Sequence, residues 1–189
     1  LGADEIISAC NSVAASVLAG AAGTTRLIDM TRPTARAMRH YAGKRVLLLA
    51  TPATSLSRTY TDALGVIVVL DPLHVEDLAG AIEFGASKSE IGKIVCKALM
   101  TRENREYDQI LLGCTHYPLV RDVIEEEARK IFGAIDCIDP AEAVAEEAIE
   151  RFSIRGDGKL QFHISQKSDQ FRRYVAELFP GSERSITIV

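Results

Sequence analysis

The sequence predicts an α/β protein of two pseudo-symmetric, three-layer lobes with mainly parallel sheets and a site in the cleft between them. Three observations support this prediction. Short runs that are apolar almost throughout, such as 45–50 and 66–70, are typical of parallel strands covered on both faces. Amphipathic stretches of helical length alternate with these runs, as they do in α/β folds. One strand–cysteine–helix arrangement also occurs twice, which indicates two related lobes.

Each predicted strand is a short hydrophobic run, and each predicted helix carries its apolar residues at helical spacing. The predicted strands are 5–9, 26–29, 45–50, 66–70, 108–113, 135–138 and 160–164. The predicted helices are 12–20, 33–42, 55–64, 75–85, 87–102, 118–132, 141–152 and 167–178. Parallel strands joined in this way need right-handed crossovers.

The repeated arrangement is a hydrophobic strand that ends in a small residue, followed by a cysteine, polar residues and a helix. It reads Glu-Ile-Ile-Ser-Ala-Cys-Asn-Ser-Val at 5–13 and Gln-Ile-Leu-Leu-Gly-Cys-Thr-His-Tyr at 109–117. We therefore expect one lobe built from residues 1–30 plus 140–189, and a second lobe built from residues 31–139.

Composition argues against several classes of partner. The formal net charge is −4, and there is no run rich in lysine and arginine, so we expect no nucleic acid and no membrane surface as partner. The longest apolar run, Val46 to Ala50, is far too short to span a bilayer. The four cysteines form no CxxC pair and no disulfide framework, and no signal peptide opens the chain, so we expect a cytoplasmic protein.

Cys10 and Cys114 are the candidate catalytic residues. Both follow a predicted strand, at the edge of an open α/β sheet where ligands bind. Both also precede a helix, and the free N–H groups at a helix N-terminus favour a thiolate. Asn11, Ser12 and Thr115 are natural N-cap residues, and the same N–H groups hold carboxylates well.

Two opposed thiols predict a proton transfer that inverts a stereocentre. One thiolate removes the proton from a carbon beside a carboxylate, and the other cysteine, as a thiol, delivers a proton to the opposite face. His116 would relay protons or stabilise the Cys114 thiolate, although with Tyr117 and Pro118 it also fits a plain helix entry. A free cysteine is often simply packed in the core, and we interpret Cys96, in a predicted helix, and Cys137, in a predicted strand, in this way.

The residues give no support for a metal or a nucleotide cofactor. Cys114 and His116 offer two ligands without a matching pair, and the remaining histidines are scattered. No glycine-rich phosphate-binding loop occurs. We therefore expect no metal and no cofactor.

Two motifs make the sequence similar to a known family. Leu-Leu-Gly-Cys-Thr-His-Tyr-Pro-Leu (111–119) resembles the second signature of glutamate racemases, and Ala-Cys-Asn-Ser (9–12) resembles the first. Further stretches agree in order: Ala-Thr-Pro-Ala-Thr (50–54), Ile-Glu-Phe-Gly (82–85) and Ile-Asp-Pro-Ala-Glu-Ala-Val-Ala (138–145). The similarity to the aspartate/glutamate racemase family covers nearly the whole chain.

The resemblance implies racemisation of glutamate without pyridoxal phosphate or metal, which supplies D-glutamate for peptidoglycan and so for the cell wall and cell shape. By position, Cys10 and Cys114 would be the bases, and His116 would assist Cys114. Glu83 matches a family position near the site, but glutamates of this kind are also often solvated helix residues. The residues that would hold the substrate's carboxylates and amine are Asn11, Ser12, Thr51, Thr54 and Thr115.

The chain departs from the family pattern at several points. Ser12-Val13 stands where the family has Thr-Ala, and residues 30–34 replace a stretch that ends in an acidic residue, Pro and Gly. By the same resemblance, an opening strand with an Asp-Ser-Gly loop and a Pro-Tyr-Gly loop would precede residue 1. We therefore expect an incomplete first lobe and little racemase activity from these residues alone.

Other functions remain open at this point. Aspartate racemases, hydantoin racemases and maleate isomerases share the two-cysteine plan. A non-catalytic, racemase-like binding module is the alternative from a different class. The sequence also leaves the oligomeric state open, a homodimer included.

Overall fold

The computed structural model describes residues 3–13, 26–152 and 158–189. The chain divides into two compact units, Leu1–Phe152 and Ser153–Val189. The first unit contains residues from both predicted lobes, and the division at residues 30 and 139 stays a prediction. In the described ranges, no helix has the length and hydrophobicity needed to cross a membrane.

A four-stranded parallel sheet forms the centre of the first unit. Its strands are β3 (Arg45–Ala50), β4 (Val69–His74), β5 (Gln109–Gly113) and β6 (Asp136–Ile138), in the order β4-β3-β5-β6. All neighbouring pairs are parallel, and Ala50 lies opposite both His74 and Gly113. The strands β3, β4 and β5 therefore end at the same edge of the sheet.

Helices cover both faces of this sheet. In chain order they are α1 (Thr31–Ala37), α2 (Pro52–Leu56), α3 (Thr59–Leu64), α4 (Leu78–Glu83), α5 (Lys88–Met100), α6 (Arg121–Phe132) and α7 (Pro140–Arg151). Two 3-10 turns, Met38–Tyr41 and Tyr117–Val120, follow α1 and precede α6. Side-chain caps explain several helix starts, because the oxygens of Thr51, Ser87 and Asp139 accept first-turn N–H groups of α2, α5 and α7.

The two faces of the sheet bury different residues, since successive side chains of a strand point to opposite faces. Leu47 and Leu49 of β3 pack with Ile110 and Leu112 of β5 against α4, α5 and α6. On the other face lie Val46, Leu48, Ala50 and Leu111, which pack with residues of the segment 38–68. The result is a three-layer arrangement whose central strands β3 and β5 are apolar almost throughout, as the sequence predicted.

A second, smaller parallel sheet pairs β1 (Glu5–Ser8) with β2 (Arg26–Asp29). Ile28 and Met30 pack with Val144 of α7 on one side of it. The β1 strand itself is poorly covered, and Ile6 and Ile7 are 41% and 42% exposed.

The second unit is built from β7 (Leu160–Ile164), β8 (Arg184–Ile188) and α8 (Asp169–Leu178). The two strands are parallel and are connected through the helix. Phe162 of β7 contacts Phe171 and Phe179 at ring-centroid distances of 5.7 and 5.8 Å. These three rings form the apolar contact between the sheet and the helix.

The predicted α/β class with parallel sheets is confirmed, while three details of the prediction are wrong. The strand predicted at 66–70 lies at 69–74, the helix predicted at 55–64 is split at Arg58, which has a positive φ of 56°, and β8 was not predicted. The sequence pattern did not indicate the full length of β4, because the strand contains Pro72 and proline is rare in strands. An edge strand tolerates it, since an edge strand does not need every N–H for pairing, and β4 is an edge strand. The helix predicted at 12–20 lies largely outside the described residues.

Candidate active site

The ends of β3 and β5 place two of the predicted site segments side by side. Ala50 and Gly113 are opposite each other in the parallel register, so Thr51 and Cys114 follow on neighbouring strands. A Cβ at Gly113 would lie 2.7 Å from Leu48 Cδ1 and 2.9 Å from the Leu49 carbonyl oxygen. Because real Cβ atoms do not approach this closely, the small residue before Cys114 is a requirement of strand packing.

Cys114 lies at the start of a chain of polar contacts. Its side chain is largely buried, with the residue 7% exposed, and its Sγ lies 3.7 Å from Nδ1 of His116. On the other side of the ring, His116 Nε2 lies 2.9 Å from Oε2 of Glu83, the last residue of α4. The imidazole therefore sits between the thiol and the carboxylate.

These neighbours change the charge of His116 at neutral pH. The hydrogen bond with Cys114 is the strongest influence and raises the pKa, partial burial lowers it, and Glu83 raises it further, to about 9. At pH 7 the ring is then an imidazolium, with one N–H for the sulfur and one for the carboxylate. A cation held against a cysteine favours the thiolate form.

Three hydroxyl groups form a second group, which we call the hydroxyl cluster: Ser12, Thr51 and Thr54. Ser12 Oγ lies 2.9 Å from Thr51 Oγ1 and 3.1 Å from Thr54 Oγ1, and the two threonine oxygens are 3.0 Å apart. Thr51 Oγ1 also accepts the Thr54 N–H as the cap of α2. The cluster joins the segment after β1 to the end of β3.

Asn11 is buried next to this cluster in the chain. The residue is 3% exposed, and its Oδ1 accepts a hydrogen bond of 2.6 Å from the Tyr60 hydroxyl of α3. Its Nδ2 has no hydrogen-bond partner within the described ranges. No motif in the sequence indicates Tyr60, which is 49 residues from Asn11 along the chain.

Comparison with known proteins identifies the family. The family model described as Asp/Glu/Hydantoin racemase matches residues 1–148. The chain belongs to this racemase family.

Similar racemases include a curated relative and two crystal structures. Glutamate racemase 3 of Caldanaerobacter subterraneus subsp. tengcongensis is 30% identical over 148 residues, which are 73% of this chain and 54% of that relative. The crystal structure of glutamate racemase isoform RacE1 from Bacillus anthracis has a TM-score of 0.81 at 25% identity, and covers 98% of this chain and 73% of its own. Glutamate racemase from Francisella tularensis, in complex with D-glutamate, has a TM-score of 0.78 at 22% identity, with the same coverages, and supports the fold. The chain thus spans little more than half of the curated relative.

The remaining predicted site residues are next to these groups in the chain. Cys10 is partly exposed and directly precedes Asn11, while Thr115 is partly exposed and directly follows Cys114. Cys96 lies on α5, outside both groups, and Cys137 is buried in β6, where burial raises the pKa of its thiol to about 12.

The described part of the chain brings no cluster of metal ligands together. Among the residues that the structure describes, no group of three or more histidine, cysteine, aspartate or glutamate side chains is placed to hold a metal ion. The polar groups at the strand ends are instead hydroxyls, an amide and the Cys114–His116–Glu83 chain.

Proposed function

We propose that the protein racemises glutamate by a two-base mechanism, with Cys10 and Cys114 on opposite faces of the substrate and no metal or organic cofactor. Membership of the racemase family and the glutamate racemases among its relatives support this proposal. The observation that carries it is the contact chain from Cys114 and His116, which follow β5, to Glu83 at the end of α4.

The first step uses the charge of His116. The His116 imidazolium lies 3.7 Å from Cys114 Sγ, where it can balance negative charge on that sulfur, and Glu83 holds the ring by its other nitrogen. As a thiolate, Cys114 takes the α-proton of one glutamate enantiomer. The reverse reaction starts with the thiol form, in which Cys114 donates its proton.

The second base is Cys10, which follows β1 as Cys114 follows β5. When Cys114 removes a proton, Cys10 delivers one to the opposite face of the same carbon, and in the other direction the roles exchange. One C–H bond breaks and one C–H bond forms at the α-carbon, so the substrate has no net gain or loss of atoms or electrons. Each direction therefore leaves the two cysteines in exchanged protonation states.

The polar groups at the strand ends suit a dicarboxylate with an ammonium group. The hydroxyl groups of the cluster and of Thr115 can both donate and accept hydrogen bonds, and Asn11 Nδ2 carries two N–H donors. We assign carboxylate and amine binding to Asn11, Ser12, Thr51, Thr54 and Thr115. Removal of the α-proton is easier when the neighbouring carboxylate is held by donors, because negative charge develops there.

In the cell this activity would supply D-glutamate for peptidoglycan, and with it cell-wall formation and cell shape. We place the reaction in the cytoplasm, with the small-molecule amino acid as the partner of the site rather than nucleic acid or a membrane.

The test compares single cysteine variants in the full reading frame of the protein, with any residues that precede Leu1 present. Exchange of the α-proton of L- and D-glutamate is followed by NMR in deuterated water, and racemisation by optical rotation, with EDTA present throughout. Cys10→Ser and Cys114→Ser should each lose racemisation by at least about 10³-fold, since removal of a catalytic proton-transfer group typically costs about 10²–10⁴-fold. Cys96→Ser is the matched control and should keep the parent rate.

Two outcomes would contradict the proposal. Near-parent racemisation by either Cys10→Ser or Cys114→Ser would show that the bases lie elsewhere. A parent protein that exchanges the α-proton of aspartate but not that of glutamate would assign the site to a different member of the family.

A further inference from the structure

Tyr60 and Asn11 form a buried pair at the edge of the candidate site. Tyr60 is 1% exposed and Asn11 is 3% exposed, so neither polar group is open to bulk water. The contact joins α3 to the residue that directly follows Cys10. A side chain with no assigned role thus touches a residue proposed to bind substrate.

The length of the hydrogen bond identifies which end of the Asn11 amide faces the phenol. The separation is 2.6 Å, which is typical of an O–H donor to an oxygen and shorter than usual for an N–H donor. Burial is the largest influence on Tyr60 and raises the pKa of its hydroxyl above the usual range, so the hydroxyl keeps its proton and donates it. The amide oxygen is therefore the atom that Tyr60 holds.

Because Tyr60 holds Oδ1 of Asn11, the position of Nδ2 in the same amide group is determined as well. Asn11 Nδ2 carries two N–H donors, is buried, and lacks a hydrogen-bond partner in the described part of the chain. Leaving buried donors unpaired is unfavourable, so such a group indicates a place where an acceptor binds. The neighbouring Ser12 belongs to the hydroxyl cluster, and a carboxylate is the acceptor-only group that these donors fit.

We propose that Tyr60 is a positioning residue, which holds Asn11 Oδ1 so that both N–H groups of Nδ2 serve a substrate carboxylate. This role rests on the proposed function, because the carboxylate is that of the racemised amino acid. Without the Tyr60 hydroxyl, the amide can turn over, and its oxygen would then face the carboxylate and repel it. Tyr60 would thus influence binding without touching the substrate.

The kinetic test uses Tyr60→Phe, which removes the hydroxyl and keeps the buried ring. KM for glutamate should rise about 10-fold, and any fall in kcat should be smaller than that rise, because the contact with the carboxylate is already formed when the substrate binds. The control is Tyr107→Phe, another largely buried tyrosine, whose hydroxyl donates to Asp71 away from the site. It should leave KM unchanged.

A double-mutant cycle separates positioning from a merely structural role. In an Asn11→Ala background, Tyr60→Phe should change KM less than about 2-fold, because the group through which it acts is absent. If Tyr60→Phe raises KM by the same factor in both backgrounds, Tyr60 acts by another route and the proposal is wrong.

A measurement without turnover keeps this proposal distinct from the proposed function. The side-chain amide nitrogen and proton signals of Asn11 should shift or broaden in Tyr60→Phe relative to the parent chain, because the whole amide group can then turn about the Cβ–Cγ bond. Unchanged Asn11 side-chain signals in Tyr60→Phe would overturn the positioning role. If those signals respond as expected while no α-proton of glutamate exchanges, the orientation stands and the proposed racemisation is wrong.

Discussion

The close approach of strands at Gly113 allows a quantitative prediction for Gly113→Ala. The new methyl group would meet Leu48 Cδ1 at 2.7 Å, the Leu49 carbonyl oxygen at 2.9 Å and Ala50 Cβ at 3.2 Å. Leu48 is fully buried, and the carbonyl belongs to the centre of the sheet, so neither can move without disturbing the packing around it. Overpacking of this kind costs about 1–3 kcal/mol, and the contact with backbone places this case near about 2–3 kcal/mol.

Differential scanning calorimetry measures the effect. For a chain of this size, a loss of about 2–3 kcal/mol lowers the unfolding temperature by about 4–12 °C. The matched control is Gly80→Ala in α4, where an added Cβ meets nothing within 4 Å. That variant should gain about 0.5–1 kcal/mol, because alanine is the better helix former. An unfolding temperature of Gly113→Ala within about 1 °C of the parent would refute the argument from strand spacing.

Two further predictions concern ionisation. The pKa of His116 is raised from 6.5 to about 9 in the folded protein. The protonated ring therefore contributes fully to the free energy of unfolding below pH 6.5, and this contribution is lost as the pH rises through about 9. The unfolding temperature of the parent should therefore fall more between pH 7 and about 9.5 than that of His116→Asn, and parallel curves would contradict the assigned pKa. Burial raises the pKa of Cys137 to about 12, so iodoacetamide at about pH 8.5 should alkylate Cys96 before Cys137, as peptide mass spectrometry would show. Equal labelling of both in the folded protein would be inconsistent with that burial.

Local patterns were sufficient to predict most of the fold. The run 45–50 is apolar at almost every position and forms β3 with the predicted bounds. Such a run needs cover on both faces, and this alone favours a parallel sheet between helix layers. The strand β4 was misplaced because Asp71 and Pro72 interrupt its hydrophobic pattern. Asp71 is accommodated by Arg102, Arg105 and Tyr107, contacts that cross more than 30 residues of sequence.

The candidate site likewise contains features that neighbouring residues in the sequence define and contacts that join distant parts of the chain. The position of Cys114 and its spacing to His116 could be read from neighbouring residues. The contact of His116 with Glu83 crosses 33 residues, and that of Ser12 with Thr51 crosses 39. Tyr60 could not be found, since a single tyrosine in a short helix resembles any other core residue until its partner is known. Pairings of this kind depend on how the strands are ordered in space.

The setting of β5 affects how the segment that carries Cys114 fluctuates. β5 is hydrogen-bonded on both sides, to β3 and β6. Amide hydrogens of β5 should therefore exchange with solvent only when the whole four-stranded sheet opens. A slow reagent would consequently encounter the Cys114 thiol next to a strand that is almost permanently closed.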